Sequence, residues 1–275
     1  MDVTGESTTL PRVDVICIKW GAMYGAADVN RLYTMVRRFT LRHAVRFHCF
    51  TEDPAGLDPA IVVHSLPELE IDAARHPEAT RILATRNLAY RKEAALCADD
   101  LGGLSGERVL FFDLDVVLVD DIDGFFEFPR DEQFVIINDW NTPGDHVGQA
   151  SCYSWVVGTL GEVKRYFEEH PLEMIEKFGT ASQEYLSSRV ILKQGRLIFW
   201  PETWCRSFKK HCLPPWYLRP FRTPALPEGA KLLAFHGAPK ADDAIAGRWG
   251  RRVPLFKRIY KTIRPSPWLR EYWPE

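Results

Sequence analysis

The chain has 275 residues, 46% hydrophobic and 26% charged, the composition of an ordinary soluble globular protein with ample length for a core. Its net charge of −2 gives no overall attraction for nucleic acid, and no 18-residue apolar stretch offers a membrane span. The six cysteines follow no zinc or disulfide spacing and read as reduced thiols, so a cytoplasmic setting is expected.

Residues 1–10 are polar and lack the apolar centre of a signal peptide. Val13 to Ile18 predicts a buried first strand. The glycine-containing loop 19–25 carries Lys19, Trp20 and Tyr24, where an open α/β sheet presents its binding crevice. These three are candidate nucleotide contacts; the competing reading is a packed loop. Leu32, Met35, Val36 and Phe39 recur at helical spacing, with Asp28 the expected N-cap. Residues 45–50 and 61–64 predict two more strands, and this order predicts an α/β fold with a mainly parallel sheet. A helix is expected over 85–101, stopped by Gly102 and Gly103. Strands are expected at 134–137, 151–157, 197–200 and 231–235, and helices at 162–169 and 183–192. Residues 201–227 hold six prolines and predict an irregular lobe.

The run Phe111-Phe112-Asp113-Leu114-Asp115-Val116-Val117 carries the chemistry. In an extended strand, positions i and i+2 project to one side, so Asp113 and Asp115 are expected side by side in an apolar segment. Two bare carboxylates there repel and are costly to bury. A hard divalent cation, Mg²⁺ or Mn²⁺, would answer both problems and would complete its shell with phosphate oxygens. The plainer reading is a solvated strand end. Asp120, Asp121 and Asp123 read as exposed turn residues.

Residues 109–122 resemble the DxD region of GT-A glycosyltransferases, in particular the family-eight, glycogenin-like and lipopolysaccharide galactosyltransferase group. Three further segments fall in that group's order. Leu88-Ala89-Tyr90-Arg91-Lys92-Glu93 resembles its basic helix at the donor. Ser182-Gln183-Glu184 resembles its acidic-Gln-acidic triplet beside the donor sugar. His236-Gly237-Ala238-Pro239-Lys240 resembles its late His-x-Gly-x-x-Lys element. The chain is divergent: Ser182 replaces an acid, Cys152 to Gly158 stands where Asn-Ser-Gly is usual, and no Pro-Trp follows Lys240.

The resemblance implies a GT-A (Rossmann-like) α/β fold: a mixed, mainly parallel central sheet flanked by helices, as a single domain over 1–247 with an irregular C-terminal part. It implies metal-dependent transfer of a sugar from a nucleotide-diphosphate sugar, a UDP-sugar favoured, to a saccharide or glycolipid hydroxyl. Surface polysaccharide or glycolipid synthesis is the implied setting, with anomeric retention. Asp113, Asp115 and His236 would hold Mn²⁺ or Mg²⁺. Arg91 or Lys92 would meet the donor, Gly237 would admit a phosphate and Lys240 would neutralise the diphosphate. Gln183 would sit near the anomeric carbon and Glu184 on sugar hydroxyls.

Two rival readings remain open in the residues. Asp113-Leu114-Asp115 also fits a haloacid-dehalogenase-type phosphatase with Asp113 as nucleophile. A non-enzymatic membrane or carbohydrate module would use the basic, aromatic segment 248–275. There, seven Lys or Arg and no acid lie between Arg248 and Arg264, and Leu255, Phe256, Ile259, Tyr260 and Ile263 recur at helical spacing. Such a helix, with Trp268, Tyr272 and Trp273 beyond it, predicts peripheral contact with an anionic membrane at the inner face.

Overall fold

The computed structural model describes residues 10–250 and 260–274, apart from 87, 132 and 145. Strand β1 (Arg12–Lys19) leads through a short loop to α1 (Ala26–Phe39). The cap differs from expectation. Gly25 precedes the helix, and Asp28, in its first turn, accepts the Gly25 N–H at 2.8 Å. β2 (Ala44–Thr51) and β3 (Val62–His64) follow, both parallel to β1. Helix α1 buries Val29, Leu32, Met35 and Val36 against this sheet, which accounts for its apolar stripe.

The helix expected over 85–101 is not continuous. Helix α2 (Pro77–Thr85) ends where it was to begin. It is followed by the single turn α3 (Tyr90–Glu93) and a 3-10 turn at Ala95–Cys97. Tyr90 and every residue from 93 to 97 are buried, so packing from all sides, not a one-faced period, dictates this segment.

β4 (Arg108–Phe112) and β5 (Val116–Leu118) are two strands, not one. β4 lies in a seven-stranded sheet of order β3-β2-β1-β4-β7-β6-β8, whereas β5 lies in a three-stranded sheet of order β5-β10-β9. The remaining elements are α4 (Asp123–Glu127), β6 (Val135–Asn138), β7 (Gly148–Val156), α5 (Gly161–Glu169), α6 (Pro171–Phe178), α7 (Ser182–Gln194), β8 (Ile198–Phe199), β9 (Cys205–Ser207), β10 (Leu232–Ala234) and α8 (Ala241–Ile245). β1 to β4 are parallel, and β7 runs antiparallel to both β4 and β6. Alternate β1 residues enter opposite cores: Val15 and Cys17 on one face, Ile16 and Ile18 on the other.

From β1 the chain builds outward to β2 and β3, then crosses back to lay β4 on the other side of β1. The carboxyl ends of β1 and β4 therefore flank a topological switch point, the place where such sheets form a crevice.

The expected C-terminal helix falls largely on residues 251–259, outside the described residues. Residues 260–274 return to the domain. Leu269 is buried, and Trp268, Tyr272 and Trp273 pack on the α1-side core. Trp268 donates its indole N–H to the Pro224 carbonyl at 2.8 Å and Trp273 to Asp242 at 2.9 Å. All six cysteines are free and buried. Among the described residues no helix is long and apolar enough to cross a membrane.

Candidate active site

Asp113 and Asp115 do not share a strand. β4 ends at Phe112, and 113–115 form the turn that carries the chain from the large sheet to the small one. Strand pairing continues on both sides, while the turn leaves both carboxylates partly exposed at the switch point.

Each carboxylate has an ammonium partner. Lys92, from α3, donates to both oxygens of Asp113 at 3.0 and 3.1 Å and lies 3.2 Å from Glu93. Burial alone would lower the Lys92 pKa, but Asp113 and Glu93 together raise it, so this lysine stays charged. Burial raises the Asp113 and Glu93 carboxyls, with Lys92 opposing the shift in each. Lys240, from the far end of the chain, donates to Asp115 Oδ2 at 2.5 Å and to the Tyr24 hydroxyl at 3.1 Å. Tyr24 donates to the same Asp115 oxygen at 3.1 Å, and burial together with Asp115 pushes its phenol up to about 12.

His236 follows β10. The Phe235 N–H donates to the Asp115 carbonyl at 3.1 Å, which anchors this segment beside the dyad. His236 Nε2 shares a 2.8 Å hydrogen bond with the Ser207 hydroxyl, and its ring stacks on Trp140 at 5.7 Å. Burial, then the charge of Lys209, pulls its pKa down to about 4, so the imidazole is neutral at physiological pH. Gly237 takes φ +74°, a left-handed conformation that suits glycine, and the Lys209 ammonium stands 3.5 Å from the place a Cβ would occupy.

No protein-family model matches the sequence, and no curated protein matches it. Solved structures do. One is the galactosyltransferase LgtC in complex with donor and acceptor sugar analogs, with a TM-score of 0.51 at 11% identity, over 90% of this chain and 99% of that one. The chain has the GT-A fold. At this identity the likeness concerns architecture.

On the GT-A framework the remaining site candidates separate. Ser182, at the start of α7, lies beside Glu93, which in turn lies beside Lys92. Gln183 is half-buried there and Glu184 exposed. Glu93 Oε2 is buried without a hydrogen-bond partner among the described residues. Two expected contacts lie elsewhere. Lys19 is 4% exposed and spends its ammonium on the Thr51 hydroxyl at 3.3 Å and the Asp53 carbonyl at 3.0 Å, since β2 runs parallel beside it. Arg91 lines a different cavity with Glu68, Ile71 and Leu83, because one helical step from Lys92 turns it to another face. Trp20 packs half-buried against the core. Asp123, expected in an exposed turn, is fully buried. It accepts the Leu41 and Arg42 N–H groups and pairs with His43 at 2.6 Å.

Three features escaped sequence reasoning. The first is Lys209, in the π-helical turn Phe208–Cys212. Phe208 stacks on Phe235 at 4.7 Å, which sets Lys209 beside His236 and Gly237. Burial and the neighbouring Lys210, Lys240 and Lys261 lower its pKa, and no carboxylate pairs with it among the described residues. The pair Lys209-Lys210 in a proline-rich lobe was the available signal. The second is Trp140. It stacks on His236 and lines a cavity of about 460 Å³ with Asn138, Trp200, Glu202 and His211. The third is a smaller cavity, about 220 Å³, that opens between Tyr24, Asp115, Lys240 and Trp273.

Two carboxylates and a neutral imidazole have the right donor chemistry for a hard divalent cation. As placed, no three His, Cys, Asp or Glu side chains gather to hold one among the described residues, and Lys92 and Lys240 neutralise the dyad.

Proposed function

We propose that this protein transfers a sugar from a nucleoside-diphosphate donor to a hydroxyl of a saccharide or glycolipid. One observation carries the reading. Asp115, Tyr24, Lys240, His236 and Lys209 come from four distant segments, yet they meet at the switch point of a GT-A sheet. LgtC, whose fold this chain shares, was solved with donor and acceptor sugar analogs.

In the reaction the C1–O bond to the diphosphate breaks, a C1–O bond to the acceptor forms and the acceptor proton leaves. The chain's task is to hold the developing diphosphate charge. Lys240 and Lys209 supply two ammonium groups for it, and the bare Gly237 backbone lets a phosphate approach. Asp113, Asp115 and His236 would hold Mn²⁺ or Mg²⁺, which would add Lewis-acid charge at the leaving group. Lys240 would then turn from Asp115 towards phosphate. Gln183 and Glu184 would meet the donor sugar, as the sequence resemblance implies. The Trp140–Trp200 cavity takes the acceptor: aromatic faces suit sugar C–H groups, while Asn138 and Glu202 suit hydroxyls. A UDP-hexose donor and anomeric retention follow the sequence resemblance.

The test is transfer from UDP-sugars to saccharide acceptors, with and without Mn²⁺. Asp115→Asn keeps the shape and removes the charge, and it should lower transfer at least about a hundredfold. Undiminished transfer by Asp115→Asn would sink the proposal.

A further inference from the structure

Lys92 and Lys240 both neutralise the dyad, but they differ in where they can go. The Lys240 side chain is 43% exposed, so it can leave Asp115 for a phosphate or for water. The Lys92 side chain is 13% exposed, and its ammonium lies over the Phe111 ring at 5.9 Å. An ammonium this deep cannot be left bare without a large cost. If Asp113 gives its oxygens to a cation, Lys92 needs another acceptor within reach.

Glu93 meets that need. It is 2% exposed, and its Oε1 already lies 3.2 Å from the Lys92 ammonium. Its Oε2 is buried and has no hydrogen-bond partner among the described residues. An empty carboxylate oxygen in such a place is costly and calls for an explanation. Asp113 and Glu93 share one ammonium, so the group is one positive charge short. The backbone here is held from outside the group. Tyr153 donates its hydroxyl to the Lys92 carbonyl at 3.0 Å, and Cys97 its thiol to the Glu93 carbonyl at 3.8 Å. Tyr90 donates its hydroxyl to the Gly179 carbonyl at 3.1 Å. Side chains can therefore exchange partners while α3 stays in place. Ser182, beside Glu93, brings a hydroxyl and no charge. Asp113 and Glu93 are thus the carboxylates that Lys92 pairs with among the described residues.

We propose that Glu93 is a positioning residue that takes over the Lys92 ammonium as Asp113 turns to a divalent cation. The dyad can then bind metal without stranding a buried charge. This handover rests on the sugar-transfer reading, which gives Asp113 its cation. No covalent bond is made or broken: the ammonium keeps its protons and trades one carboxylate for another. The two lysines clear the dyad by different routes, Lys240 outward to phosphate and Lys92 inward to Glu93.

The experiment titrates Mn²⁺ into the full chain with UDP present. It follows the paramagnetic resonance signal of the free ion against a protein-free control. Glu93→Gln keeps the shape and removes the charge, so Lys92 stays on Asp113 and Mn²⁺ affinity should fall about tenfold. Glu93→Asp keeps the charge but draws the carboxylate back by one methylene, away from the ammonium. Its Mn²⁺ affinity should fall severalfold, whereas a plain field effect of the charge would leave it at the parent value. Glu93→Asp also serves if Glu93→Gln does not fold, which thermal melts without metal report. Parent-like affinity in Glu93→Asp overturns the proposal. So does a loss of stability in either variant with Mn²⁺ affinity unchanged, which would make Glu93 a structural partner of Lys92. No Mn²⁺ uptake by the parent overturns the metal reading of Asp113 and the handover with it, an outcome distinct from uptake that the variants leave untouched.

Discussion

At the scale of single residues, the site is a set of charges whose partners settle their states. Lys209 stands among other cations, with Asp115 acting on it only at a distance and no carboxylate in ion-pair range among the described residues, an arrangement that an incoming dianion relieves. Lys209→Met should therefore weaken UDP binding about tenfold, roughly 1.4 kcal/mol, by calorimetric titration. Equal affinity in the variant would remove Lys209 from the phosphate cradle. His236 gives a pH signature. Its folded pKa, about 4, lies below the ordinary histidine value of 6.5, so the unfolded chain binds the proton more readily. Its contribution to stability is present above pH 6.5 and is lost as the pH falls towards 4. Thermal melts of His236→Gln should show a smaller drop than the parent between those values.

At the scale of elements, the site depends on connections that hold turns in place. The 113–115 turn is pinned by the Asp113 N–H to Ser151 at 3.0 Å on the large sheet, and by the Phe235 N–H to Asp115 on the small one. The Phe208–Phe235 stack does the same for the π-helical turn. Asp123 plays this part between α4 and the loop ahead of β2. Its carboxylate is fully buried, and two N–H groups with His43 hold its pKa low against burial. Asp123→Ala leaves those donors unsatisfied and should cost about 2–4 kcal/mol in urea unfolding. A change under 0.5 kcal/mol would show that the loop finds other acceptors.

Across the whole molecule, a ligand that binds only the folded state raises its melting temperature. UDP at a hundred times its dissociation constant adds about 2.7 kcal/mol, which for a chain this long is roughly a 5 °C shift. Mn²⁺ should enlarge the shift if the dyad and His236 close on a cation, and Asp115→Asn should abolish the enlargement. An identical shift with and without Mn²⁺ would count against the metal.

Periodicity and composition were legible locally. The apolar runs of β1, β2 and β4 and the stripe of α1 are written within ten or so residues, because side-chain alternation and helical pitch are short-range properties. The dyad, the late histidine and Lys240 stood out as chemistry in unusual settings. What the chain could not declare was partnership. Lys240 meets Asp115 across 125 residues, Lys19 is drawn off by Thr51 and Asp53, Arg91 turns to another cavity, and Lys209 arrives at Gly237 through an aromatic stack. Nor could it show that 109–119 breaks into two strands in different sheets, or which aromatics face solvent. Those outcomes rest on which distant segments the sheet order brings together, and residue spacing along the chain does not encode that.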